Sequence, residues 1–118
     1  MSMHDLVIVV PLYNEEGSLR RLKAEMDNFI FDCSLNVCVL FVDDGSHDGS
    51  LEVIRDISAA DENYSYISLE KNMGLSAALK AGIDNADGKW IGYIDSDLQT
   101  SPADFNRLIP YSEEYDLV

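Results

Sequence analysis

Asp95 and Asp97 stand two residues apart, with Gln99 two further on. Where a strand ends, that spacing lets two carboxylates and a neutral amide oxygen turn toward one hard cation. An all-oxygen set suits Mg²⁺ or Mn²⁺ over Zn²⁺. Mg²⁺ is commonly held by one or two carboxylates and completes its shell with substrate phosphates, so a metal at Asp97 implies a diphosphate-bearing substrate. The competing reading of D-x-D is an ordinary solvated surface tripeptide. Further carboxylates gather in Tyr13-Asn14-Glu15-Glu16 and in Asp43-Asp44-Gly45-Ser46, and a mixed segment follows at Glu70-Lys71-Asn72-Met73-Gly74. Brought to one rim, these groups repel each other unless a cation or hydrogen-bond donors offset them.

Each of those segments directly follows an apolar run, and the runs decide whether they meet. Asp5–Pro11 is a continuous β-branched stretch ended by proline, the pattern of a strand buried on both faces. Asn36–Val42 reads as a second such strand, Tyr64–Leu69 as a third and Trp90–Ile94 as a fourth. Between them, Glu15–Phe31 carries Leu19, Leu22, Met26, Phe29 and Ile30 on one helical face, with Arg20, Arg21, Lys23 and Glu25 opposite. Asp48 is a candidate N-cap for a helix through Ala60, and Gly74–Ala86 reads as a third helix closed by the turn dipeptide Asp87-Gly88. Ser101-Pro102 opens a last helix, Pro102–Ile109, and Asp116–Val118 looks like the start of a fifth strand.

Strands alternating with helices predict an α/β fold, a doubly wound, mostly parallel sheet covered on both faces through right-handed crossovers. In such sheets ligands bind beyond the carboxyl ends of the strands, near the point where strand order reverses. A 3-2-1-4 order would place the first strand centrally and set Glu15, Asp44 and Asp95 around one crevice.

Several chemistries are excluded. No G-x-G-x-x-G follows the first strand, and neither a G-x-x-x-x-G-K-[ST] phosphate loop nor a G-x-S-x-G nucleophile elbow is present. His4 and His47 have no Ser or Cys partner that the sequence points to, and His47 reads as an exposed loop residue. The 22 acidic against 8 basic residues give a net charge of −14, which argues against nucleic acid and against an anionic membrane surface as partners. No apolar run reaches the ~18 residues of a membrane span. No secretory signal is seen, and Cys33 and Cys38 lack the close partners of a zinc site. They read as reduced structural thiols, which sets the expectation of a cytoplasmic protein.

Four motifs in one order resemble family 2 inverting glycosyltransferases of GT-A fold. They are Val9-Val10-Pro11-Leu12-Tyr13-Asn14-Glu15; Val42-Asp43-Asp44-Gly45-Ser46 with Asp48-Gly49-Ser50; Asn72-Met73-Gly74 with Ala78 and Gly82; and Asp95-Ser96-Asp97-Leu98-Gln99. The Asp-Leu-Gln ending followed by Ser101-Pro102 is most similar to dolichyl-phosphate mannose synthases and bacterial polyprenyl-phosphate sugar transferases. The resemblance implies a Rossmann-like nucleotide-binding half of a GT-A fold and a metal-dependent transfer of sugar from a nucleoside-diphosphate sugar to a lipid phosphate or glycan.

Carried over by residue, Pro11, Tyr13 and Glu15 would hold the nucleotide, with Tyr13 against base or ribose; the alternative for Tyr13 is a rim residue. Val42 and Asp44 would contact the base, while Asp43 either joins them or braces its own turn. Asp95 would face the ribose or a metal-bound water, with Ser96 and Asp97 completing the nucleotide site. Asp97 and Gln99 would ligate Mg²⁺ or Mn²⁺, with Asp95 as a further candidate ligand. Lys71 has two readings, a phosphate contact or a solvated side chain, and Asn72 and Gly74 are expected to shape the start of their helix.

Residues 1–118 are thus expected to form the N-terminal nucleotide-sugar-binding part of a longer domain, containing no catalytic residue itself. Any general base would lie downstream, the full-length protein would sit at the inner face of the membrane, and an exposed sheet edge would be available for a homodimer. Two other readings compete. One is a nucleotide-binding module without turnover. The other is an acidic phosphoacceptor signalling domain, against which the position of the Asp pair after the second strand counts.

Overall fold

A computed structural model of the protein describes residues 4–94. Asp95, Ser96, Asp97 and Gln99, the expected helix at Pro102–Ile109 and the strand start at Asp116 lie outside the described residues. Within them the order is β1 (His4–Leu12), α1 (Leu19–Asp32), β2 (Val37–Asp43), α2 (Ser50–Ala60), β3 (Tyr64–Ser68), α3 (Leu75–Asn85) and β4 (Gly88–Tyr93). The four strands are parallel, as expected, and ordered β3-β2-β1-β4. β1 is central because its apolar run can be covered from both sides, whereas β3, with Ser65, Tyr66 and Ser68 exposed, tolerates an edge.

Alternation along the strands divides the core. Leu6, Ile8, Val10 and Leu12 of β1, with Val37, Val39 and Phe41 of β2, meet Leu19, Leu22, Met26 and Phe29 of α1 and Ile54 and Ile57 of α2. Val7 and Val9, with Cys38, Leu40 and Val42, face the opposite layer under α3 and meet Ala78. α3 lies close because Gly82 presents no side chain: a Cβ there would collide with methyl groups of Val9 and Val42. Neither cysteine is in a disulfide, and burial pushes the Cys38 thiol above its ordinary value.

Several boundaries differ from expectation; Gly88, expected in a turn, instead opens β4, because it pairs with His4 at the start of β1. α1 starts at Leu19 and not at Glu15, because residues 15–18 form a turn in which the Ser18 N–H donates to the Glu15 carbonyl at 3.0 Å. Asp48 is not the N-cap of α2; Gly49 holds that position, and Asp48 accepts the Ser50 N–H from one residue further out at 2.9 Å.

The polar face of α1 is also less solvated than its periodicity suggests. Lys23 Nζ contacts Asp27 at 2.6 Å and Asp61 at 3.4 Å, and it lies 5.0 Å from the centre of the Tyr64 ring. The buried Tyr64 stacks on Phe41 and donates its hydroxyl to Asp27 at 2.6 Å, tying β3 to α1. Burial first, and the Asp27 carboxylate second, hold the Tyr64 phenol well above its ordinary value of 10.0.

A group whose folded-state pKa is raised stabilises fully below its unfolded pKa and loses that contribution as pH rises. Cys38 and Tyr64 start from 9.0 and 10.0, so stability is expected to hold to about pH 9 and fall beyond it. Urea midpoints between pH 7 and 11 measure the fall. Tyr64→Phe is expected to cost about 1–2 kcal/mol at pH 7 and to flatten the loss above pH 10. A Tyr64→Phe profile parallel to that of the unsubstituted protein would remove Tyr64 from this account.

Candidate functional site

The parallel sheet brings three loops to one edge: residues 13–18 after β1, 44–49 after β2 and 69–74 after β3. The chain leaves β4 at the same edge, where the Ile94 N–H donates to the Val9 carbonyl at 3.1 Å. The loops after β1 and β2 are joined by side chains accepting backbone N–H groups. Asn14 takes a left-handed conformation (φ 54°), which asparagine tolerates, and its N–H donates to Ser46 Oγ at 2.9 Å. Its Oδ1 accepts the N–H of His47 at 2.8 Å and of Asp48 at 3.4 Å. The Glu15 N–H donates to Ser50 Oγ at 2.9 Å and the Glu16 N–H to Asp48 Oδ2 at 3.2 Å, while Glu16 Oε1 accepts the Gly49 N–H at 3.0 Å.

Burial acts to raise the Asp48 pKa, but hydrogen bonds from Ser50 and Glu16 outweigh it and hold the carboxyl below its ordinary value. Much of the negative charge on this rim is therefore offset by backbone donors within the protein.

The loops after β2 and β3 are joined through Asp44, which is 4% exposed. Its Oδ1 accepts the Met73 N–H at 2.7 Å, and its Oδ2 accepts the Gly74 N–H at 3.0 Å and Asn72 Nδ2 at 3.1 Å. Asn72 Nδ2 also reaches the Asp44 carbonyl at 3.3 Å. These donors lie just before α3, where a carboxylate is favoured by the unsatisfied N–H groups of the first turn. Gly45 (φ +74°) is the close approach on which this depends, since a Cβ there would strike the backbone of Lys71 and Asn72.

The adjacent carboxylate is used differently. Asp43 is 1% exposed; its Oδ2 accepts the Ser46 N–H at 3.2 Å, bracing the turn, while Oδ1 is buried with no hydrogen-bond partner. A buried carboxylate oxygen without a donor is costly, and a ligand N–H or a water reaching it would recover that cost.

The other anticipated residues fall as follows. Tyr13 is 40% exposed on the rim, its ring in a T-shaped pair with that of His47. Glu15 is half-buried, and its carboxylate accepts the Ser18 hydroxyl at 3.1 Å. Pro11 is buried at the end of β1, level with Val42. Val42 is fully buried under Gly82, so its side chain is spent on the core. Asp44, expected to reach toward a base, spends both carboxylate oxygens on the loop before α3. Asn72 and Gly74 shape the start of α3 as expected, and Lys71 is exposed.

Asn14, Ser46, Glu16 and Ser50 had no assigned roles from the sequence. Their signal was an Asn and several Ser, Asp and Glu residues clustered after two buried strands, where such side chains readily accept backbone N–H groups.

Among the described residues no group of three His, Cys, Asp or Glu is placed to hold a metal, and no helix is long and apolar enough to cross a membrane. The residues expected to ligate Mg²⁺ or Mn²⁺ are all outside that range, so the described rim supplies no ligand set of its own.

Residues 7–118 match the family described as Glycosyl transferase family 2. The chain is 39% identical over 113 residues to an undecaprenyl-phosphate 4-deoxy-4-formamido-L-arabinose transferase of Aeromonas hydrophila, covering 94% of this chain and 35% of that protein. It therefore spans about a third of the length of such curated relatives. Among solved structures, S. aureus TarS 1-349 superposes with a TM-score of 0.73 at 23% identity, covering 88% of this chain and 31% of that one. Its complex with UDP-GlcNAc gives 0.69 at 26% identity, covering 79% and 26%. The mannosyltransferase PcManGT from Pyrobaculum calidifontis, solved with GDP-Man and Mn2+, shares the fold at a TM-score of 0.63 and 20% identity, covering 82% and 28%.

Proposed function

The chain belongs to glycosyl transferase family 2, and from that premise we propose that it is the nucleotide-sugar-binding part of an inverting, metal-dependent sugar transferase. Its donor is a nucleoside-diphosphate sugar and its acceptor a polyprenyl phosphate. The observation that carries the reading is the rim itself: three loops fixed by cross-loop hydrogen bonds, with a buried carboxylate oxygen, Asp43 Oδ1, unpaired at the end of β2 and Tyr13 exposed at the end of the neighbouring β1. A planar base would lie against Tyr13 and donate a ring N–H to Asp43. Asp43 is favoured over Asp44 in that role because Asp44 is saturated by its own loop. Pro11 and Glu15 shape the floor of the site, and Val42 serves from the core beneath it.

Asp95, Ser96 and Asp97 would complete the nucleotide site, and Asp97, Gln99 and Asp95 would hold Mg²⁺ or Mn²⁺. The bound cation supplies neutralisation of charge on the departing diphosphate. Its use is supported by the oxygen-only donor set and by Mn2+ in the mannosyltransferase of the same fold. The undecaprenyl-phosphate specificity named for the Aeromonas relative supports a lipid-phosphate acceptor. Such an acceptor is anionic at neutral pH and needs little help from a general base, unlike a sugar hydroxyl. An enzyme using that lipid as acceptor would act at the cytoplasmic face of a membrane.

Calorimetric titration of UDP and GDP, each with and without Mn²⁺, tests the reading. Binding of at least one, strengthened by the metal, is expected, and Asp97→Ala is expected to abolish the metal dependence without shifting the thermal midpoint. Failure of both nucleotides to bind would overturn the proposal. Beryllofluoride uptake in that case would favour a phosphoacceptor domain. Binding without any transfer in the full-length protein would favour a module that holds nucleotide without turnover.

A further inference from the structure

His47 follows the Asp43–Ser46 turn and is exposed, yet it is not solitary. Its ring centroid lies 6.4 Å from that of Tyr13 with the planes at 84°, an edge-to-face pair across two loops. The backbones behind the rings are tied twice over. The Asn14 N–H donates to Ser46 Oγ at 2.9 Å, and Asn14 Oδ1 accepts the His47 N–H at 2.8 Å. The same turn is anchored below by Asp43, which accepts the Ser46 N–H through the oxygen opposite its unpaired one. The two rings thus stand on loops cross-linked through the turn that Asp43 braces.

A tyrosine 40% exposed on a loop would otherwise sample several side-chain rotamers, and ordering it would cost affinity when a base stacks on it. An aromatic ring held against it by a neighbouring fixed backbone removes that freedom in advance. We propose that His47 is a positioning residue that presets the Tyr13 ring as a wall of the nucleobase site, so that its imidazole sets nucleoside affinity without touching the diphosphate. This rests on the nucleotide reading above. The backbone contribution is separable from the ring, because alanine at position 47 keeps the N–H that Asn14 accepts.

Calorimetry on the full chain with UDP, GDP and inorganic pyrophosphate tests it. His47→Ala is expected to weaken whichever nucleotide binds by about 3–10-fold, the range of an aromatic pair, while leaving pyrophosphate affinity unchanged. His47→Phe restores an aromatic ring and is expected to lie within about twofold of the unsubstituted protein. In a Tyr13→Ala background, His47→Ala is expected to add no further loss, because the ring it positions is gone. Unchanged nucleotide affinity in His47→Ala, an equal loss in the Tyr13→Ala background, or no recovery in His47→Phe would each overturn the assignment while the nucleotide reading stands. Absence of binding to either nucleotide by the unsubstituted protein would overturn both.

Discussion

Gly45→Ala is expected to lower the thermal midpoint by about 12–24 °C. Two costs act together. The position has φ +74°, where an L side chain is disfavoured by about 1–2 kcal/mol. The added Cβ also meets the backbone of Lys71 and Asn72, and backbone cannot rotate aside as a flexible side chain would. Relief requires the loop before α3 to move away, which lengthens the bonds that Asp44 accepts from Met73 and Gly74. A total of about 3 kcal/mol follows, and each kcal/mol moves the midpoint of a domain this size by about 4–8 °C. Circular-dichroism melts read the shift, and hydrogen exchange at the Met73 and Gly74 amides shows where it arises. A Gly45→Ala protein melting within about 3 °C of the parent would mean that the turn relaxes without moving that loop.

Asp44→Ala is expected to cost about 2–4 kcal/mol, because hydrogen bonds to a charged acceptor are the stronger kind and three donors lose theirs at once. Partial access of water to the loop keeps the value below that of a fully enclosed charge. Asp44→Asn is expected to lose nearly as much, since one of its two positions becomes an NH₂ that faces N–H donors. The double variant Asp44→Ala/Gly45→Ala should be clearly less destabilised than the sum of the singles, both having released the same loop. Strict additivity would show that the two residues act on separate features. Urea midpoints at pH 7 provide the comparison, and an Asp44→Asn protein as stable as the parent would sink the account of the saturated carboxylate.

Both changes address a division of labour between neighbouring aspartates. Asp44 fixes the loop before α3, and Asp43 keeps one buried oxygen without a hydrogen-bond partner. The sequence shows two carboxylates in a row, equivalent in type. Their difference arises from what each side chain meets: Asp44 reaches the donors of the β3–α3 loop, whereas Asp43 receives only the Ser46 N–H of its own turn.

Much of the architecture was legible because burial on both faces leaves a plain mark. Leu6–Leu12 and Val37–Val42 read as unbroken apolar runs, and only parallel strands covered by helices on both sides need such runs. The parallel, doubly wound class followed from the alternation of strands and helices, while the order β3-β2-β1-β4, only a condition in the sequence reading, is fixed by the fold. The first turn of α1 was misjudged because Glu15 and Glu16 fit a helical start as well as a loop. What settles them is Ser50 and Asp48, more than 30 residues away in the chain. Periodicity places Lys23 opposite the apolar face of α1 and carries no information about Tyr64 and Asp61 arriving from β3 and its preceding turn.

The four motifs and their places after successive strands were determined by the sequence itself, since residue type and spacing depend only on the chain. So were the fold class and the gathering of carboxylates at one sheet edge out of a net charge of −14. Tertiary structure alone decided which carboxylates are already paired, which is left with a free oxygen, and which ring His47 meets. Those are contacts between loops 30 residues apart. A hydrogen bond is met or unmet only by what the fold brings within about 3 Å.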